Sequence, residues 1–139
     1  MSETPRPEHA ILLRNTMAFD RDHADEFKQA IHDALRFAQE NAPQLMVQVF
    51  IDADQALCYS FQLYADSDAI LRHWEVSDPH ITAVMKHCVV KSMEVYGSPS
   101  DAVRNGILAA VGSDKVSFTP ELVGLSLIHI SEPTRQAEI

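Results

Sequence analysis

Between His9 and Phe19, Ile11, Leu13, Met17 and Phe19 share one parity, while Leu12, Arg14, Thr16 and Ala18 hold the other. That period of two predicts a strand with one face buried in a core. Asn15 falls on the apolar parity and is its polar exception. Asp22, with Asp25 and Glu26 close behind, has the pattern of a helix start, where the helix dipole favours negative charge. Phe27, Ala30, Ile31, Ala34, Leu35 and Ala38 then recur at helical spacing until Asn41-Ala42-Pro43 stops the run.

Two strands are predicted next, Leu45 to Asp52 and Leu57 to Ala65, joined by a short turn at Asp54. Asp66 or Ser67 caps a short helix carrying Ile70, Leu71 and Trp74, and Ser77-Asp78-Pro79 restarts the chain as a second helix with Ile81, Val84, Met85 and Cys88 on one side. A strand from Lys91 to Tyr96 closes at Gly97. Ser98-Pro99 opens a helix that ends near Gly112, and a last strand from Val116 to Val123 carries Pro120, which marks an edge or a bulge. The order β-α-β-β-α-α-β-α-β reads as an α+β chain, a ferredoxin-like antiparallel sheet with its helices on one face.

Both parities of the middle strands carry apolar residues: Val47, Val49 and Ile51 against Met46 and Phe50, and Tyr59, Phe61 and Leu63 against Cys58 and Tyr64. One layer of helices buries only one sheet face, so the pattern calls for a second sheet or a partner subunit, and a homodimer is expected. At 139 residues the chain is one domain, which we place at residues 9–125 after a lead-in over residues 1–8. Residues 126–139 resemble a translated sequencing-adapter string, so they are kept out of fold and site reasoning, His129 included.

The formal net charge of −9 argues against binding a phosphate backbone, so no nucleic-acid partner is expected. No apolar run approaches the ~18 residues of a membrane span and the first residues lack the apolar core of a signal peptide, so no membrane partner and a cytoplasmic location are expected. Cys58 and Cys88 match no metal-ligand spacing and read as buried thiols; no metal is expected.

Ala24-Asp25-Glu26-Phe27, the run Tyr59 to Tyr64, the segment Arg72-His73-Trp74-Glu75-Val76-Ser77-Asp78-Pro79-His80 and Met93 to Gly97 together resemble the antibiotic-biosynthesis-monooxygenase-like family of the dimeric α/β-barrel superfamily. The resemblance implies two sheets paired back to back in a dimeric α/β barrel, with a small apolar pocket between each sheet and its helices. It further implies a cofactor-independent monooxygenase acting on a small aromatic or quinol-type molecule, with no cofactor required. A non-catalytic binding or dimerisation module of the same fold is the alternative. The family's haem-degrading branch has an Asn on the first strand, a Trp ending the short helix and an iron-ligating His ten residues later; Asn15 and Trp74 match, but the third position is Val84, which has no lone pair to give iron.

His73 and His80, with Asn15, are the candidate catalytic residues. Imidazole titrates near working pH and suits a base or hydrogen-bond donor to a phenol, although capping or surface hydrogen bonding fits both histidines too. A buried Asn15 amide must find partners, either in a ligand or in the protein. Trp74, Tyr64 and Phe61 are the candidate substrate contacts, although Trp74, at helical spacing with Ile70 and Leu71, fits a core position better than a stacking platform.

Overall fold

The computed structural model describes residues 10–125, so the expected lead-in and the adapter-like tail lie outside the described residues. The elements are β1 (Ile11–Phe19), α1 (Ala24–Asn41), β2 (Met46–Asp52), β3 (Leu57–Tyr64), α2 (Ser67–Met85), β4 (Cys88–Tyr96), α3 (Asp101–Val111) and β5 (Val116–Thr119). The sheet runs β2-β3-β1-β4-β5, antiparallel except for the parallel β4–β5 pair. It is the expected ferredoxin-like α+β sheet with one added helix and strand. Among the described residues no helix is long and apolar enough to cross a membrane.

Register fixes which side chains share a face. On β1, Ile11, Leu13, Asn15, Met17 and Phe19 point to the helices; Asn15 lies opposite Ser60, and Met17 opposite Cys58. The helix-side face carries two apolar cores. One gathers Ile11, Leu13, Tyr64, Ile70, Val95, Val103 and Ile107; the other gathers Met17, Phe19, Phe27, Ala56, Cys58 and Val84. Asn15 and Ser60 sit between them and belong to neither.

The predicted break at Ser77-Asp78-Pro79 does not occur, because α2 runs unbroken from Ser67 to Met85 with Pro79 inside it. Proline deprives the Glu75 carbonyl of its helical donor, but both residues are exposed, so water serves that carbonyl instead. Asp66 is the cap, accepting from the Ala69 N–H at 2.9 Å. Continuity gives α2 a single inner face with three zones. Ile70 meets the first core, Val84 the second, and His73, Ser77, His80 and Ile81 face the gap between. The third helix begins at Asp101 under a Ser100 cap, one turn edge later than Ser98-Pro99 suggests, and β5 stops before Pro120.

Trp74 packs against α3. A Cβ built on Gly106 would lie 2.6 Å from the Trp74 ring, so only glycine lets helix and indole approach this closely. Gly106→Ala is therefore expected to lower unfolding stability by about 1–3 kcal/mol through overpacking, although alanine is the better helix former. Denaturant titration followed by Trp74 emission checks this; a stabilised variant would contradict the packing.

Candidate functional site

A cavity of about 120 Å³ occupies the gap between the two cores, under α1 and α2. Its sheet side is formed by Asn15 and Met17 of β1, Val47 and Val49 of β2, Ser60 and Gln62 of β3, and Gln44 just before β2. Helix α2 supplies His73, Ser77, His80, Ile81, Val84 and Met85, and α1 supplies Ile31, Ala34, Leu35 and Ala38. Ala34 and Ala38 present only a methyl group each, and this is what leaves room below α1. An engineered apolar cavity of ~150 Å³ holds a benzene molecule, so this volume matches one aromatic ring and not a fused polycycle.

The polar part of the wall is organised along β3. Gln62 Nε2 donates to Ser60 Oγ at 3.2 Å, the Tyr64 hydroxyl donates to Gln62 Oε1, and Gln44 Nε2 donates to the Tyr64 hydroxyl at 3.3 Å. Burial pushes the Tyr64 phenol up, so it stays protonated and keeps its donor role. Four of the lining residues each carry a side-chain atom that is buried without a partner among the described residues: Asn15 Oδ1, Gln44 Oε1, His73 Nδ1 and Ser77 Oγ. None of the lining residues is Asp, Glu, Lys or Arg. Burial also lowers the His73 pKa, so the imidazole facing the cavity is neutral near pH 7 with a lone pair to offer.

Asn15, His73 and His80, the expected catalytic trio, are brought together on this wall. His80 packs against Phe37 with the rings tilted and their centroids 4.6 Å apart, and it also borders an outer groove between α1 and α2 lined by Glu26, Gln29, Asp33, Lys86 and His87. One imidazole thus touches both the cavity and a polar, open surface, which suits it to exchange protons with solvent. The expected substrate contacts are placed elsewhere. Tyr64 is fully buried in the first core behind His73, with ring centroids 5.9 Å apart, and reaches the wall only through its bonds to Gln44 and Gln62. Trp74 packs against the same core, because α3 covers it. Phe61 has the opposite parity to Ser60 and Gln62 and lies on the far face of the sheet, edge-on to Phe50.

Gln44, Ser60, Gln62 and Ser77 were missed from sequence. Ser60 and Gln62 carry a readable signal, two polar residues on the helix-facing parity of β3 beside Asn15. Ser77 carries none, since its Ser-Asp-Pro context imitates a helix cap. Val84, where the haem-degrading branch has its iron ligand, lines the cavity with two methyl groups; those and the one-ring volume do not fit a haem.

No protein-family model and no curated sequence matches the chain. Solved structures do resemble it. MupZ from Pseudomonas fluorescens superposes with a TM-score of 0.68 at 10% identity, covering 89% of this chain and 99% of that one. The cofactor-independent oxygenase SnoaB from Streptomyces nogalater gives a TM-score of 0.54 at 13% identity over 66% of this chain and 95% of its own. A Caulobacter crescentus protein provisionally designated an antibiotic biosynthesis monooxygenase gives 0.53 at 20% identity over 63% and 88%. The chain has the fold that these structures share.

The half-buried His73 makes stability depend on pH with a definite sign. An unfolded histidine takes up a proton near about pH 6.5 and the folded His73 resists it, so its contribution is complete above that pH and shrinks as pH falls below. Denaturation midpoints measured from about pH 7.5 down to about pH 5.5 should therefore fall less steeply in His73→Asn than in the parent protein. The Asp20-paired His23, whose pKa is raised, has the opposite effect but is common to both proteins and cancels. Equal slopes would contradict a half-buried, neutral His73.

Proposed function

We propose that the chain is a cofactor-independent monooxygenase that oxidises a small, electron-rich aromatic molecule of the hydroquinone type in the cavity beneath α1 and α2. The observation that carries this reading is a ring-sized apolar chamber whose polar groups, Asn15, His73 and His80 among them, converge on one gap in the core. SnoaB, a cofactor-independent oxygenase by name, lends the chemistry by likeness of fold.

With a hydroquinone, one atom of dioxygen enters the ring and the other leaves as water, giving a hydroxyquinone; the substrate itself supplies the reducing electrons. The step needs a phenol made more electron-rich by loss of its proton. In this reading neutral His73 accepts that proton on its free lone pair, the Asn15 amide holds a ring oxygen, and His80, which borders both cavity and groove, returns protons to the outside. The dry walls made by Met17, Ile31, Leu35 and Val84 keep water from competing for these hydrogen bonds.

The reading includes a homodimer closed through the sheet's far face. That face carries Leu12, Leu57, Tyr59, Phe61 and Leu63, with Phe50 49% exposed at its side. At its centre the charges are already paired, while Asp52 at the β2 end of the same face is held only by hydrogen bonds from Gln55. Arg14 donates to Glu94 at 2.9 Å and Tyr96 to the same carboxylate at 3.1 Å, so a second sheet laid over them strands no bare charge. Phe61→Glu is expected to convert the dimer to monomer in sedimentation, since burying a second, unpaired carboxylate costs several kcal/mol. A monomeric parent protein would overturn this part.

Oxygen consumption tests the activity. The protein with hydroquinones and no additive should take up dioxygen above the uncatalysed rate, and Asn15→Ala or His80→Ala should reduce turnover about a hundredfold without dissociating the dimer. Silence from folded protein, or unchanged kinetics in both variants, would overturn the proposal; silence is the result a non-catalytic binding module gives.

A further inference from the structure

The wall of the cavity restricts what it will hold more narrowly than ring size does. Its four partnerless atoms belong to lining residues of both sides, Asn15 Oδ1 and Gln44 Oε1 to the sheet side, His73 Nδ1 and Ser77 Oγ to α2. Ser77 is 3% exposed, so its hydroxyl is out of contact with bulk water. A buried polar atom left without a partner costs about 1–3 kcal/mol, and four along one cavity are a steep cost unless a bound molecule supplies the missing bonds. The same wall offers no side chain of fixed charge to a ligand. A carboxylate or an ammonium group entering it would be desolvated with nothing to compensate.

We infer that the cavity selects a neutral, one-ring molecule carrying hydrogen-bonding groups at opposite ends, bridged between the sheet and α2, with Gln44 and Ser77 as specificity-determining residues. This rests on the reading of the cavity as the substrate site, and it adds the charge, the size and the two-ended polarity of what enters. The two residues act differently. Gln44 is held from behind, because its Nε2 is engaged by Tyr64, and this leaves Oε1 as an oriented acceptor. Ser77 lies one helical turn beyond His73 on the inner face of α2, so the two present adjacent polar atoms to the same end of a ligand. A ring hydroxyl satisfies an acceptor on one side, and its counterpart across the ring satisfies the other. A fixed point on each wall also sets which ring carbon is left uncovered.

Anaerobic calorimetry on the full chain tests this, using hydroquinone, para-xylene, 4-hydroxybenzoate and naphthohydroquinone as probes. Hydroquinone should bind; para-xylene, of the same shape but without polar groups, should bind at least about tenfold more weakly, the loss of one good hydrogen bond. The anionic and two-ring probes should give no heat. Ser77→Ala and Gln44→Leu should each weaken hydroquinone about tenfold while leaving para-xylene as tight or tighter. Ala34→Leu, which fills the chamber from α1, should abolish binding of every probe in protein whose thermal melt shows it folded.

Para-xylene binding as tightly as hydroquinone, equal binding of 4-hydroxybenzoate, or no binding by any probe would overturn the inference; in the last case ordered water alone satisfies the wall. The two proposals fail separately. Selective binding of hydroquinone without oxygen uptake keeps this inference and removes the oxygenase. Oxygen uptake sustained only by charged or two-ring substrates does the reverse.

Discussion

The rest of the structure depends on one polar rung, Asn15 of β1 facing Ser60 of β3, set into the helix-side face of an otherwise apolar sheet. Apolar side chains pack without direction, but a buried amide and hydroxyl need partners at hydrogen-bond distance, so the core cannot close over them as it does on either side. Leu13 and Tyr64 build one core above the rung, Met17 and Cys58 another below. The chamber is what remains between them.

The helices carry the complementary pattern. Helix α2 sets Ile70 against the first core and Val84 against the second, and gives the middle of its inner face to His73, Ser77 and His80. That alignment exists only because the helix continues past Pro79; a break there would turn the two histidines to unrelated directions. Helix α1 crosses above with Ala34 and Ala38, small enough to leave the chamber open, and anchors its start through Phe27, stacked on Phe19 at 5.1 Å between centroids. Neutral hydrogen-bonding groups line the chamber, and charged ones lie outside it in the groove that His80 also borders.

Much of this was legible in sequence where a single local rule applies. Strand parity placed Asn15 on the helix-facing side of β1, and the two-sided apolar pattern of β2 and β3 marked the uncovered far face. His73 and His80 followed from the chemistry of imidazole, though the helix break assigned between them does not occur, because the i−4 carbonyl that Pro79 leaves without a donor is exposed and water supplies the lost bond. What remained hidden needed tertiary knowledge. Helical spacing with Ile70 and Leu71 favours a core place for Trp74, but that its ring lies against Gly106 of α3 shows only in the fold. Gln44 lies in a connecting segment with no periodicity, and only the Tyr64 hydroxyl, twenty residues away, turns its amide toward the chamber. Phe61 was a matter of parity alone, one position from Ser60 and so on the other face.

The central claim is that the chamber at the Asn15–Ser60 rung is where a small aromatic molecule binds, and methyl spectra of methionine-labelled protein test it most directly. Met17 and Met85 line the chamber, Met93 packs in the first core and Met46 lies on β2 outside it. Adding hydroquinone under nitrogen should move the Met17 and Met85 methyl signals together by ring-current shift and leave Met46 and Met93 in place. Movement of Met46 with Met17 and Met85 unchanged would put the ligand outside the chamber and contradict the account.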